Sequence, residues 1–264
     1  MIIDGRKIAE EVVEVLLKER DSLPHMIRLG VVMSEGDAAT ESFVRIKERV
    51  AGRLQVEVVR EILPEDATMN DAIAAVNKMV QETQGVIVQL PLPDAIDTNT
   101  VLRALPSSHD VDAVGPGRQV VLPPVAEAIS EIFARENISA QNKKAVVVGA
   151  GRLVGAPAAR LLRDMGAEVT VVTQTEGSLS ELKDADIVVL GAGKSGMVKP
   201  SMLKEGVVLI DAGTSEQGGR VMGDADPACA EVASIFTPVP GGVGPIAVAM
   251  IFKNLLTLIR AAQK

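Results

Sequence analysis

Lys144-Ala145-Val146-Val147-Val148-Gly149-Ala150-Gly151-Arg152-Leu153-Val154-Gly155 is the stretch that decides the fold. Its first part is a continuous apolar run, the pattern of a strand covered on both faces of a parallel sheet. Gly149 then permits a tight turn, and Gly151 allows another group to approach the backbone closely. A helix follows, reaching residue 165. A strand, a glycine turn and the free N–H groups of a helix start together make a cradle for an anion. The spacing G-x-G-x-x-x-G is one residue longer than the common dinucleotide fingerprint. Three further strand-like runs, at 168–172, 186–190 and 207–211, repeat the pattern. The spacing therefore predicts a Rossmann-like dinucleotide-binding domain with a parallel sheet; a merely structural glycine turn is the alternative.

Cofactor choice should show at the end of the second strand, Val172-Thr173-Gln174-Thr175-Glu176. An acid there favours NAD through the ribose hydroxyls, and an arginine favours NADP. Thr173 is neither. Glu176 reads as a solvated loop acid, and Arg152 reads equally as a phosphate contact or a surface helix charge. The choice between NADP and NAD stays open on these residues.

Working outward, the first half also alternates strand-like and helix-like runs. Residues 6–20 place Ile8, Val12, Val15 and Leu16 at helical spacing, and residues 28–33 (RLGVVM) form a strand. A helix over 40–54, a strand over 56–59 and a helix capped by Thr68 follow. The strand at 86–90 stops at Pro91-Leu92-Pro93, whose rings remove donors and force an extended exit. Pro123-Pro124 opens the helix 125–135 and marks the domain crossing. A short strand at 234–237 leads into residues 238–245 (PVPGGVGP), read as a stiff loop, and a helix over 247–262 closes the chain. Alternation of this kind implies an α/β chain of two domains. The expected division is an N-terminal α/β catalytic domain, 1–123, rejoined by the last helix at 246–264, and a Rossmann-like NAD(P)-binding domain, 124–245, with a cleft between them.

Composition narrows the function. The net charge is −8, with no basic run, which gives no footprint for nucleic acid. No stretch reaches the roughly 18–20 consecutive apolar residues of a bilayer span, so no membrane partner is expected. The N-terminus has no signal-peptide pattern. Cys229 stands alone, which fits a reduced, cytoplasmic setting. His25 and His109 are far apart and no Cys/His cluster has metal-ligand spacing, so no metal is expected. There is no Trp and no Tyr, which leaves Phe43, Phe133, Phe236 and Phe252 as the stacking candidates.

Thr40, Phe43 and Lys47 share one helical face by their spacing. That segment alone suggests a solvated lysine beside a core phenylalanine. Gln89 ends a strand, where a polar side chain can face a crevice. His109-Asp110-Val111-Asp112 supplies two carboxylates, which in loops most often serve as turn residues or caps.

Taken together, these pieces resemble the bifunctional methylenetetrahydrofolate dehydrogenase/methenyltetrahydrofolate cyclohydrolases. The resemblance runs almost end to end. It takes in Ile3-Asp4-Gly5-Arg6, Gly36-Asp37, the Thr40, Phe43, Lys47 helix and residues 85–93 (GVIVQLPLP). It continues through Asp110-Val111-Asp112, residues 149–157, Ile210-Asp211-Ala212-Gly213, Gly223-Asp224 and residues 238–245. The VQLPLP and PVPGGVGP blocks are long and specific. By resemblance, Lys47 is the catalytic base and acid, Gln89 holds it and disfavours its charged form, and Asp112 holds the pterin's amide and amino edge. Thr40, Phe43, Leu90, Pro91, Pro240, Gly241 and Gly242 would line the substrate. Gly149, Ala150, Gly151, Arg152, Val154, Gly155, Thr173, Gln174, Thr175, Ala212, Gly213 and Thr214 would hold the dinucleotide, NADP by family habit. A homodimer and a place in one-carbon metabolism, with its link to purine synthesis, are implied as well.

The chain departs from the family pattern in places. Phe43 replaces a tyrosine, Thr40 a serine, His109 a lysine and Ala113 a glycine. The usual P-C-T-P block is Leu122-Pro123-Pro124, the usual G-R-S turn is Gly149-Ala150-Gly151, and Ile246-Ala247 stands where Met-Thr is common. Three alternatives are a shikimate-dehydrogenase-like or other oxidoreductase of the same architecture, a member with one activity only, and a catalytically silent binding protein.

Overall fold

The computed structural model describes residues 1–35, 38–218 and 220–263, so Gly36-Asp37 of the resemblance lie outside the described residues. Secondary structure follows the hydrophobic pattern closely. In chain order come α1 (Gly5–Arg20), β1 (Ile27–Ser34), α2 (Ala38–Arg53), β2 (Val56–Leu63), α3 (Met69–Glu82), β3 (Gly85–Val88), α4 (Thr98–Ala104), α5 (Pro124–Arg135) and β4 (Lys144–Val148). Then follow α6 (Gly155–Asp164), β5 (Glu168–Val172), β6 (Ile187–Leu190), β7 (Val208–Asp211), β8 (Ser215–Gln217), β9 (Arg220–Met222), β10 (Ile235–Phe236) and α7 (Val243–Ala262).

The chain divides into two units. One comprises residues 11–124 and 248–264 and the other residues 1–10 and 125–247. The first holds a parallel three-stranded sheet, ordered β2-β1-β3. Its core includes Val32, Val76, Met79, Val86, Val101 and Leu102, all fully buried. Thr68 caps α3 in a reciprocal box with Asp71, as its position predicts. The second unit holds a parallel five-stranded sheet, ordered β10-β7-β6-β4-β5, with an apolar core around Val146, Val188, Leu190 and Leu209. All five strands run the same way, so their carboxyl ends share one edge.

Four features differ from the sequence reading. Residues 1–10, expected in the first domain, pack with the five-stranded unit: Ile3 N–H donates to Phe236 O at 2.9 Å and Gly5 N–H to Gly241 O at 2.9 Å. Helix α4 is too short for periodicity to reveal, and Asp97 caps it by accepting from Asn99 and Thr100 N–H. Helix α7 begins inside the PVPGGVGP block, because Pro245 falls in its first turn, where a missing N–H costs no hydrogen bond. The same helix is long and apolar enough, by length and composition, to cross a membrane. Lys253 and Asn254 hide this from a search for unbroken apolar runs. Of its most apolar window, 61% is buried inside the protein, as befits a core helix.

Candidate active site

In the three-stranded unit, α2 packs against β2 and presents Thr40, Val44, Lys47 and Ala51 inward. The spacing i, i+4, i+7, i+11 is one helical stripe. Lys47 sits in the middle of that stripe and is only 8% exposed, whereas Phe43 is 41% exposed. The helix thus reverses the arrangement its local sequence suggests: the lysine is buried and the phenylalanine faces solvent.

Gln89 follows β3 and continues its ladder, donating its N–H to Val32 O at 2.8 Å. Its side-chain Nε2 donates to Leu90 O at 3.1 Å. That bond orients the amide so that Oε1 accepts from Lys47 Nζ at 2.6 Å, in a buried contact. Leu90 is half-buried, Pro91 is exposed, and the bond between them is cis.

On the other side of β3, Asp110 forms a bridge with Val86, and His109 O accepts from Val86 N–H at 2.7 Å. This pairing carries the following Asp112 to the lysine. The Asp110 carboxylate is fully buried and accepts from Gly115 N–H at 2.7 Å, which closes the turn beneath Asp112. Ala113 adopts φ 51° in that turn, the left-handed region where glycine is at ease. Asn254 on α7 secures the same segment by donating from Nδ2 to Val111 O and Leu122 O, both at 2.8 Å.

Electrostatics couple the group. Burial pushes the Lys47 ammonium below its ordinary pKa, and the charge of Asp112 pulls it part of the way back. Asp112 keeps some surface open, but its carboxyl lies deep enough among protein atoms for burial to push its pKa up to about 6. Lys47 lowers that value and Asp110 raises it. Gln89 Oε1 is an acceptor, and an acceptor favours an ammonium. Desolvation therefore lowers the charge on Lys47, and Gln89 does not, contrary to the expectation from sequence.

The residues expected to hold a dinucleotide all lie on the carboxyl edge of the five-stranded sheet. The 149–155 turn leaves β4, Thr173, Gln174 and Thr175 leave β5, and Ala212, Gly213 and Thr214 leave β7. The glycines differ in purpose. A Cβ on Gly149, whose φ is 98°, would lie 2.5 Å from Gly191 O, and one on Gly155 would collide with Gly149 O. Nothing lies within 4 Å of a Cβ on Gly151. The fold demands the first and third glycines; the second keeps space clear. Val154 at the start of α6 supplies no side-chain cap, but Ala156 N–H donates to Gly151 O at 3.1 Å and Pro157 has no N–H. The first turn of the helix therefore offers few donors to a ligand or solvent, and the preceding glycine turn must supply the rest. These features fit a pyrophosphate held by backbone N–H groups of Gly151, Arg152 and their neighbours. At the β5 end, Thr173 Oγ1 accepts from Thr175 N–H at 3.3 Å and Glu176 N–H at 3.0 Å, which fixes a tight turn.

Sequence reasoning missed the 191–194 loop after β6, on the same edge, and gave no role to Asp224 behind it. Asp224 accepts from Ala192, Gly193 and Lys194 N–H at 2.6–3.1 Å. The hint in the sequence is Gly213, where a Cβ would collide with the Asp224 carboxyl. Pro240, Gly241 and Gly242 belong to this unit too, at the entry to α7, with Gly242 N–H donating to Pro238 O at 2.7 Å.

Comparison with known proteins agrees with this arrangement. Residues 3–112 match the family model for the tetrahydrofolate dehydrogenase/cyclohydrolase catalytic domain, and residues 123–263 match that for its NAD(P)-binding domain. The chain is 38% identical to the bifunctional protein FolD of Halothermothrix orenii, over 96% of this chain and 95% of that one. Among solved structures it is similar to the bifunctional FolD enzyme of Campylobacter jejuni, with a TM-score of 0.92, 28% identity and 99% coverage of both chains. It is equally similar to the Trypanosoma brucei methylenetetrahydrofolate dehydrogenase-cyclohydrolase, complexed with NADP and an inhibitor, with a TM-score of 0.92, 28% identity and coverage of 100% and 98%. On a catalytic-domain match, an NAD(P)-domain match and near-complete relatives, the chain belongs to the tetrahydrofolate dehydrogenase/cyclohydrolase family.

Proposed function

We propose that this protein oxidises 5,10-methylenetetrahydrofolate to 5,10-methenyltetrahydrofolate with NAD(P)+ and hydrolyses the product to 10-formyltetrahydrofolate. The observation that carries the proposal is the buried Lys47 Nζ to Gln89 Oε1 hydrogen bond, with Asp112 close enough to act on the lysine's charge. A lysine serves as a base near neutral pH only when something lowers its pKa, and burial does so here.

The chemistry assigned to each residue follows from its protonation. The unprotonated Nζ of Lys47 accepts a proton from the water that attacks the methenyl carbon. The C–O bond forms as the π bond between the carbon and N5 opens. The resulting hydroxyl then collapses to the formyl C=O as the C–N5 bond breaks and N5 takes up the hydroxyl's proton. The other proton of the water, held on Nζ, is the one released. Gln89 Oε1 keeps Nζ on target through the cycle, since it accepts from both the amine and the ammonium. Asp112, ionised above about pH 6, accepts from the N–H edge of the pterin. The exposed ring of Phe43 offers a stacking face without a hydroxyl, and Thr40, Leu90 and Pro91 are assigned to substrate by resemblance. Pro240, Gly241 and Gly242 are assigned to substrate by resemblance alone. A nicotinamide cofactor, when bound, accepts the hydride from the methylene carbon.

The family is the same for a one-activity member, but relatives named as bifunctional support both steps. They do not favour the shikimate-dehydrogenase-like alternative. NADP is the cofactor of the T. brucei relative, and this chain's β5 end has neither the acid nor the arginine that would decide the matter. A cytoplasmic homodimer supplying one-carbon units to purine synthesis completes the proposal; sedimentation tests the assembly. Two absorbance assays test the chemistry. One follows NAD(P)H formation from methylenetetrahydrofolate, with NAD+ and NADP+ side by side, and the other follows methenyltetrahydrofolate decay. Signal in both is expected, and silence in both overturns the reading.

A further inference from the structure

Two buried carboxylates behind the carboxyl edge of the five-stranded sheet take no part in the chemistry above. Asp211 ends β7 and is 1% exposed; Asp224 is fully buried. Asp211 Oδ1 accepts from Gly213 N–H at 3.0 Å and Asp224 N–H at 3.2 Å, and its Oδ2 accepts from Ala225 N–H at 2.8 Å. Thr237 Oγ1 in turn accepts from Asp211 N–H at 2.7 Å and donates to Asp211 O at 3.2 Å. Asp224 Oδ2 accepts from Ala192 N–H at 2.7 Å and Gly193 N–H at 3.1 Å, and its Oδ1 accepts from Lys194 N–H at 2.6 Å. The loop of residues 192–194 is otherwise exposed. Three successive N–H groups turned onto one buried carboxylate form a clamp, because bonds to an ionised acceptor are the strong ones.

The position of the clamped loop gives the clamp a purpose. The strand order β10-β7-β6-β4-β5 reverses direction at β4, with β5 on one side and β6 on the other. Ligands of open α/β sheets lie outside the carboxyl ends of strands at that reversal. The glycine turn after β4 forms one wall there, and the loop after β6 forms the other. The walls lie so close that a Cβ on Gly149 would come within 2.5 Å of Gly191 O, and a Cβ on Gly191 would collide with the Val154 side chain.

We propose that Asp224 is a positioning residue for the dinucleotide: it holds the 191–194 loop at the glycine turn and so shapes the crevice the cofactor enters. Asp211 seats Asp224 and, through Gly213 N–H, ties the 212–214 loop to the same support. Asp224 reaches the cofactor through the loop, so it acts on affinity far more than on the chemical step. The proposal rests on the NAD(P)-dependent reading of the five-stranded unit.

The test is a comparison of wild-type protein with Asp224→Asn and Gly191→Ala. The amide of Asn keeps the shape but turns an N–H donor toward the loop's N–H groups. The Gly191→Ala methyl pushes the loop from the glycine turn without touching the carboxylate. Each folded variant is expected to raise the KM for NAD(P)+ about tenfold or more, the loss that fits broken bonds to a charged acceptor, with kcat changed by less than about threefold. Amide exchange at Ala192, Gly193 and Lys194 is expected to be slow in the wild type and fast in Asp224→Asn. An unchanged KM in both folded variants overturns the proposal, as does unprotected exchange of these amides in the wild type. If Asp224→Asn fails to fold, Gly191→Ala and the wild-type exchange rates decide the question. A wild-type protein that forms no NAD(P)H from methylenetetrahydrofolate refutes the functional reading instead, and the exchange measurement still reports on the clamp.

Discussion

Lys47 Nζ and Gln89 Oε1 lie 2.6 Å apart, joined across 42 residues of sequence. One end of the bond rides on α2 and the other on the residue after β3, so the sheet itself sets the distance. Substitution of Lys47 by Met is therefore expected to leave the fold intact and to abolish methenyltetrahydrofolate hydrolysis. It also removes the positive charge that holds Asp112 down, so the Asp112 pKa should rise above its value of about 6. Carboxyl NMR titration of the variant measures the shift. Full hydrolytic activity in Lys47→Met would sink the assignment.

Replacing Gln89 by Leu removes the acceptor from a buried ammonium. The protonated form of Lys47 then loses its partner, so the lysine pKa should fall further below its ordinary range. Hydrolysis should slow, because Nζ is no longer aimed. A pH–rate profile whose lysine limb moves to lower pH in Gln89→Leu agrees with this; an unmoved limb does not.

Acid should weaken folate binding in a defined window. Asp112 must be ionised to accept from the pterin, and its folded pKa is about 6. The KM for methylenetetrahydrofolate is expected to rise as pH falls through 6, and Asp112→Asn should lose that dependence along with most of its affinity. The stability effect has the opposite sense. A carboxyl whose folded pKa lies above its unfolded value of 3.8 favours the fold below about pH 4, and this benefit is lost as pH rises through 6. Asp112→Asn should therefore gain in Tm over wild type at pH 7 and not at pH 4. Thermal melts at the two pH values check the sign.

Two changes near Asp112 should move stability in opposite directions. Asn254→Ala leaves Val111 O and Leu122 O without their shared donor, at a cost of about 2–3 kcal/mol, and raises the folate KM by loosening the turn. Ala113→Gly relieves a left-handed alanine and should gain about 0.5–1 kcal/mol after the glycine's own entropy is counted. Urea titration measures both.

Much of this architecture is visible in sequence because strands covered on both faces must be apolar throughout. The apolar parts of the runs at 144–148 and 186–190 accordingly fall on β4 and β6, every residue of which but Lys144 is buried. The burial of Lys47 is harder to see. Residue type alone puts Phe43 inside and Lys47 outside, but Val44 and Ala51 set the inward stripe of α2, and Lys47 falls on it. The lysine's role becomes readable only when that stripe is combined with Gln89 and Asp112, which lie 42 and 65 residues further along the chain. The grip of Asp224 on the 191–194 loop has no local signature, since its donors are backbone N–H groups that every residue but proline possesses. Helix α4 and the β8–β9 hairpin escape for a simpler reason: they are too short to show a period.

The unequal surroundings of Gly149, Gly151 and Gly155 bear on how a chain with two activities can be altered. Gly149 and Gly155 are committed to architecture, so any side chain there disturbs the whole nucleotide-binding unit. Gly151 stands over empty space, and a side chain at that point is invisible to the folding chain and visible only to a visitor. With the dinucleotide at its proposed place, it is a natural fuse: a single methyl-bearing residue there is expected to disconnect the redox step and leave the hydrolytic one in circuit.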